Sequence, residues 1–73
     1  MNANISIVAQ GAREIIKSKG FKQNAIAEKA GYTAKQFNNM LTGRKIIIPD
    51  DILRIATALD VTPNDLFGLT IKE

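Results

Sequence analysis

The 73-residue sequence contains no cysteine, no histidine and no tryptophan. Without cysteine the chain forms no disulfide bond and offers no thiolate to a metal ion or a substrate. Without histidine it lacks the commonest metal ligand and the commonest general base. These absences speak against an enzyme, and we expect no catalytic residue, no metal site and no cofactor.

Long apolar runs are also missing from the sequence. No stretch approaches the roughly 20 apolar residues of a membrane-spanning helix, and the N-terminus lacks the basic start and the apolar stretch of a signal peptide. We therefore expect a cytoplasmic protein without membrane contact. Hydrophobic residues make up 45% of the chain and charged residues 23%, which is typical of a globular protein. A chain of this length forms one domain, so residues 1–73 are expected to fold as a single unit.

Apolar residues recur at helical spacing near the N-terminus and predict a first helix over residues 3–19. Its apolar stripe consists of Ile5, Val8, Ala9, Ala12, Ile15 and Ile16. Asn2 or Asn4 is suited to cap its beginning, and Gly20 is placed to end it. Gly11 lies inside this helix, where it either permits a close packing contact or is simply tolerated.

The stretch of residues 23–42 has the clearest pattern in the chain, two short helices joined by a tight turn. The first covers residues 23–30, and Gly31 follows where a helix end favours positive φ. The inward face of this helix is formed by Ile26, Ala27 and Ala30. Thr33 and Gln36 then have the spacing of a capping box, in which each side chain accepts a hydrogen bond from the other residue's backbone N–H.

The second helix of this stretch, residues 34–42, exposes a distinctive set of side chains. Its inward face is formed by Phe37, Met40 and Leu41. Its outward face consists of Lys35, Asn38, Asn39 and Thr42, with Ala34 and Gln36 on the flanks. Ammonium, amide and hydroxyl groups of this kind can hydrogen-bond to base edges in the DNA major groove. The outward face is therefore a candidate for reading DNA.

Two further helices are predicted downstream, each beginning with proline at its first position. Pro49 opens one of them, and Thr62 caps the other ahead of Pro63. Their inward residues are expected to be Ile52, Leu53, Ile55, Ala56, Leu59, Leu66, Phe67 and Leu69. Asp50 and Asp51 follow Pro49, and two adjacent carboxylates there are better explained as complements to the helix dipole than as a catalytic or metal-binding pair.

Charge is distributed unevenly along the chain. Residues 1–45 contain eight basic and two acidic side chains, a net charge of +6, whereas residues 46–73 contain two basic and five acidic side chains, a net charge of −3. A lysine-rich surface can simply be solvated. Because the positive half also contains the two-helix stretch, a surface that faces DNA phosphates is the better interpretation.

The two-helix stretch resembles the helix-turn-helix of the phage lambda-type repressor and Cro family, also called XRE-type regulators. The matching residues are Gln23, Ala27, Gly31, Thr33 and Gly43, followed downstream by Ile52, Leu53, Ile55, Ala56, Leu59, Leu66 and Phe67. The resemblance implies a five-helix lambda-repressor-like domain with the helix-turn-helix in helices 2 and 3. It also implies a sequence-specific DNA-binding transcription regulator, in particular a repressor from a prophage or another mobile element.

The resemblance, together with side-chain chemistry, assigns roles to individual residues. The residues expected to read bases are Ala34, Lys35, Gln36 and Asn39. The residues expected to bind phosphates are Lys22, Gln23, Thr33, Asn38, Thr42, Arg44 and Lys45. Lys22 departs from the family, which usually has Thr or Ser there, and this substitution is expected to leave the second helix uncapped.

Family members often pair through the loop after helix 3 and the last helix, which implies a homodimer on a pseudo-palindromic operator. The dimer contacts expected here are Ile46, Ile47 and Leu69. In a second interpretation of this loop, Ile46 or Ile48 fills the core. Two other functions remain open: the antitoxin of a toxin–antitoxin pair, and a protein-interaction module that has lost DNA binding. The basic first half and the polar helix face speak against the interaction module.

Overall fold

The computed structural model describes residues 7–67, and residues 1–6 and 68–73 lie outside the described range. The helices are α1 (Ile7–Lys19), α2 (Gln23–Ala30), α3 (Ala34–Leu41), α4 (Pro49–Leu59) and α5 (Pro63–Leu66). The described range contains no strand. The prediction of five helices in an all-α fold is confirmed. None of the helices in this range is long and apolar enough to cross a membrane.

One hydrophobic core holds the five helices together. α2 packs against α3 and α4, and α1 packs against α3, α4 and α5. The large side chains that are fully buried in this core are Phe37, Met40, Leu41, Ile55, Leu59 and Leu66. Since α2 and α3 have eight residues each, both are shorter than the roughly 12–15 residues at which an isolated helix becomes even marginally stable. Packing therefore stabilises them.

The predicted helix ends agree with the structure in most places. α2 begins at Gln23 as expected, and Gly31 follows it with φ of 89°. α4 begins at Pro49 and ends at Leu59, and Asp60 follows it in the left-handed conformation with φ of 61°. α3 ends at Leu41, one residue earlier than predicted, because Thr42 leaves the helical conformation with ψ near 0°. The beginning of the first helix, including Ile5, lies outside the described residues.

Some of the predicted core residues lie elsewhere. Leu53 is 58% exposed and Phe67 is 38% exposed, so the prediction that both point inward is wrong for Leu53 and only partly right for Phe67. Leu53 lies between Ile52, which is half-buried, and Ile55, which is buried. A helix buries only one stripe of its surface, and Leu53 falls outside this stripe. Leu69 lies outside the described residues.

The three consecutive isoleucines after α3 occupy different environments. Ile46 is 82% exposed and Ile48 is 51% exposed, whereas Ile47 packs against the core. The interpretation in which Ile46 or Ile48 fills the core is therefore wrong. Side chains alternate in direction along an extended segment, so when the middle isoleucine turns inward its two neighbours turn out.

Gly11 marks a close approach between α1 and α5. A Cβ atom built at Gly11 would collide with the carbonyl oxygen of Leu66 and would lie 2.7 Å from its carbonyl carbon. The obstacle is backbone of α5, which cannot rotate away as a side chain could. Of the two explanations for this glycine, close packing is the correct one.

Replacing Gly11 by alanine should therefore destabilise the fold. Alanine gains about 1 kcal/mol of helix propensity over glycine, but the clash forces α1 and α5 apart, and overpacking of this kind typically costs about 1–3 kcal/mol. We expect a net loss in the free energy of unfolding, measured by urea denaturation. Ser18→Ala, on the exposed side of the same helix, is the control. A Gly11→Ala protein more stable than the parent would contradict the close contact.

Candidate nucleic-acid interface

The outward face of α3 has the composition that the sequence predicted. Ala34, Lys35 and Gln36 are exposed and Asn39 is partly exposed. Lys35 and Asn39 are four residues apart and therefore lie on the same side of the helix. Within the described residues, the side chain of Asn39 makes no hydrogen bond, so its carbonyl and its amide group both remain available to a ligand.

The capping box at the beginning of α3 is formed as predicted. The Gln36 N–H donates to Thr33 Oγ1 at 3.0 Å, and the Thr33 N–H donates to Gln36 Oε1 at 2.8 Å. This second bond uses the side-chain oxygen of Gln36. With the cap closed, both N–H groups of the Gln36 amide stay available to a base or a phosphate, while its oxygen already accepts one hydrogen bond, so the expected role of Gln36 is mainly that of a donor.

The beginning of α2 lies beside the exposed face of α3. Gln23 Nε2 donates to Asn38 Oδ1 at 3.3 Å, which ties the first residue of α2 to the exposed face of α3. Lys22 is the N-cap residue and makes no side-chain capping bond, as its departure from the family predicted. The N-terminus of α2 therefore keeps backbone N–H groups that no side chain satisfies, and such groups favour binding of an anion such as a phosphate.

Gln23 also lines an open groove between α1 and the beginning of α2. The groove has a volume of about 910 Å³ and is lined by Gln10, Arg13, Glu14, Ile16, Lys17, Ser18 and Gln23. Arg13 and Lys17 extend the basic surface from α3 and Gln23 onto α1. The sequence reasoning missed both residues. Their spacing of four residues on the polar side of α1 is the signal that could have indicated a shared face.

The loop after α3 is held by the end of that helix. The backbone carbonyl oxygen of Asn39 accepts hydrogen bonds from the backbone N–H groups of Arg44 and Lys45, at 2.8 and 3.0 Å. The Thr42 hydroxyl donates to the carbonyl of Asn38 at 2.9 Å, so its proton is directed back to the helix. The side chains of Arg44 and Lys45 are exposed. The loop thus presents two cations directly after α3.

A buried carboxylate connects the turn of the helix-turn-helix to α4. Asp51 is 8% exposed and is the only buried charged residue among residues 7–67. The Tyr32 O–H donates to Asp51 Oδ1 at 2.6 Å, and the Ile48 N–H donates to Asp51 Oδ2 at 3.1 Å. The sequence reasoning assigned Asp51 only to the helix dipole. It missed the bond to Tyr32 because the two residues are far apart in sequence and only the fold brings them together.

Tyr32 has an unusual environment as well as an unusual partner. Its ring stacks on Phe37, with ring centroids 6.1 Å apart and an interplanar angle of 7°, and the guanidinium of Arg54 lies 5.8 Å from the ring centroid. Burial and the hydrogen bond to Asp51 raise the pKa of the Tyr32 hydroxyl from 10.0 to about 12, and the charge of Arg54 opposes this change.

The pKa of Tyr32 can be measured directly, because the chain has one tyrosine and no tryptophan. Tyrosinate absorbance should report a pKa near 12, and Asp51→Asn should lower it by removing the carboxylate. Since folding raises the pKa, the protonated hydroxyl contributes its full stability below pH 10, and this contribution is lost as the pH rises through 12. A pKa that Asp51→Asn leaves unchanged would contradict the assigned hydrogen bond.

Comparisons with known proteins agree with this geometry. Residues 13–71 match the family model described as the Cro/C1-type HTH DNA-binding domain. A search of curated protein sequences gives no match. Among solved structures, the chain is similar to the crystal structure of the restriction-modification controller protein C.AhdI from Aeromonas hydrophila, with 30% identity and a TM-score of 0.80, over 90% of this chain and 100% of that one. The chain therefore belongs to the Cro/C1-type helix-turn-helix family of DNA-binding domains.

Proposed function

We propose that this protein is a sequence-specific DNA-binding transcription regulator that inserts α3 into the major groove. The observation that supports this most is the outward face of α3, where Lys35 and Asn39 lie on one side of a helix whose other side is buried. Selection of binding sites from random duplex DNA tests the proposal, and enrichment of one defined sequence is the expected result.

The exposed face of α3, from its beginning to Asn39, reads the bases. Lys35 donates to guanine O6 or N7, and Asn39 forms a bidentate pair with adenine N6 and N7. Ala34 packs against a thymine methyl group, and Gln36 donates from its amide while its oxygen stays in the cap. Helix-turn-helix proteins present the beginning of the recognition helix to the bases, and the capping box keeps this end of α3 ordered.

Phosphate contacts surround the base-reading face on two sides. Lys22, Gln23 and Thr33 lie at the beginnings of α2 and α3, and Asn38 is hydrogen-bonded to Gln23. On the other side, the end of α3 is followed by Thr42, Arg44 and Lys45. We add Arg13 and Lys17, because they line the same groove as Gln23. These contacts fix the position of the domain on the duplex without reading sequence, and they make affinity fall as salt rises.

The working form is a homodimer on a pseudo-palindromic operator. The domain measures 35 × 29 × 22 Å, so two copies side by side can place their recognition helices about 34–36 Å apart, near one turn of DNA. Ile46 is the first exposed isoleucine that follows α3 in the sequence, and it is assigned to the contact. Ile47 lies beside it with less free surface, because it packs against the core. Leu69, the third assigned residue, lies outside the described residues.

The regulatory role is repression by occupancy of the operator. The 30% identity to a restriction-modification controller supports a small transcription regulator. Its origin in a prophage or another mobile element stays a prediction. An antitoxin with the same fold would bind DNA through the same face. Copurification of a toxin encoded beside the gene distinguishes that role from the one proposed.

Two substitutions separate base reading from phosphate binding. Asn39→Ala should weaken binding to the selected site by about 1–3 kcal/mol and relax the preference at one base pair. Lys45→Ala, the matched control, should weaken binding to all duplexes about equally, because it removes only a phosphate contact. Kd values for the selected and a scrambled duplex measure both effects. An unchanged sequence preference in Asn39→Ala would refute its assignment.

The dimer is tested by changing the spacing between half-sites. Five inserted base pairs put the two recognition helices on opposite faces of the duplex, since one turn contains about 10–10.5 base pairs. Affinity and cooperativity should both fall. An insertion of about ten base pairs, one full turn, returns the two half-sites to the same face of the duplex and so controls for the added distance alone. Unchanged cooperative binding after the five-base-pair insertion would show that the protein binds as independent monomers.

A further inference from the structure

We propose that Asp51 is a positioning residue for sequence reading, and this inference rests on the proposed function. Residues 32–48 form what we call the reading segment, because it contains α3 and the loop with Arg44 and Lys45. The two carboxylate oxygens of Asp51 bind the two ends of this segment, Tyr32 at its beginning and Ile48 at its end. We call this pair of hydrogen bonds the Asp51 clamp.

At its first end, the clamp fixes how the chain enters α3. Tyr32 immediately precedes the N-cap residue Thr33, and its ring stacks on Phe37 in the next turn of the helix. An apolar contact between these two positions is a hydrophobic staple, which sets the angle between a helix and the chain before it. The bond from the Tyr32 hydroxyl to Asp51 attaches this staple to α4.

At its other end, the clamp fixes how the chain leaves the loop. The Ile48 N–H, which donates to Asp51 Oδ2, belongs to the N-cap residue of α4. The isoleucine side chain has no acceptor for the free backbone N–H groups in the first turn of α4. The carboxylate of Asp51, which lies in that turn, instead accepts from the backbone N–H of Ile48 and fixes the start of the helix. Arg44 and Lys45 lie between the start of α4 and the end of α3. Their positions therefore depend on both attachments.

A carboxylate suits this position because it accepts at both oxygens. Burying a charge is costly unless hydrogen bonds compensate it, and Asp51 has two such bonds as well as the dipole of α4. Asparagine could accept at one oxygen only, since its amide nitrogen is a donor. α4 packs against α2, so the clamp orients the reading segment relative to the other helix of the helix-turn-helix.

Loss of the clamp should affect specific and non-specific binding differently. Bidentate contacts to bases depend on the orientation of α3, whereas contacts to phosphates are largely electrostatic and tolerate small displacements. A reading segment freed at one end keeps its charges and loses part of its orientation. The ratio of specific to non-specific affinity should therefore fall, and the salt dependence of binding should stay the same.

The test uses Tyr32→Phe in the full chain, because phenylalanine keeps the ring stacked on Phe37 and removes only the hydroxyl. We expect affinity for the selected duplex to fall about tenfold, the order expected for one hydrogen bond to a charged group, with less than about twofold change for a scrambled duplex. Asp51→Asn, which loses one acceptor, should lower the same ratio. Thr62→Ala, which removes the cap of α5, is the control for loss of stability and should leave the ratio unchanged.

Circular dichroism melts ensure that every variant is folded at the assay temperature. Equal losses on both duplexes, or a Thr62→Ala protein with the same change in ratio as Tyr32→Phe, would overturn the positioning role. A parent protein that selects no sequence would overturn the proposed function and this inference with it. A parent that selects a sequence, combined with an unchanged ratio in Tyr32→Phe, would overturn the inference alone.

Discussion

The burial of one face of α3 is the constraint on which the rest of the structure depends. A helix of eight residues does not hold by itself in water, so α3 exists because Phe37, Met40 and Leu41 are buried in the core. Helical geometry then determines which side chains lie on the opposite face, and Lys35 and Asn39 must point away from the core. The same packing thus stabilises the domain and presents the side chains suited to base edges. A substitution that loosened the core under α3 would disturb both.

The ends of α3 are controlled as closely as its buried face. A capping box and a hydrophobic staple order its beginning, and hydrogen bonds from the following loop satisfy the carbonyl of Asn39 near its end. Asp51 joins the two sides of this arrangement from α4. A short helix, otherwise prone to fraying, is therefore held at both ends, which suits a surface whose contacts are directional.

Local patterns predicted the helices and the outward face of α3, because caps, proline at the first helical position and apolar periodicity act between neighbours in sequence. The remaining features depend on distant neighbours. Asp51 stands where a dipole complement is expected, and its bond to Tyr32 crosses 19 positions of sequence. Three identical residues at 46–48 gave no periodicity from which to choose the buried one. The groove that brings Arg13 beside Gln23 depends on how α1 meets α2, which no local pattern contains.

Methylation protection on the selected duplex tests most directly whether α3 reads DNA from the major groove. Dimethyl sulfate modifies guanine N7 in the major groove and adenine N3 in the minor groove, and these atoms distinguish the two faces of a base pair. Bound protein should protect guanine N7 atoms within each half-site while adenine N3 atoms there stay reactive. Protection of adenine N3 alone, with every guanine N7 still reactive, would contradict the assignment of α3 as the recognition helix.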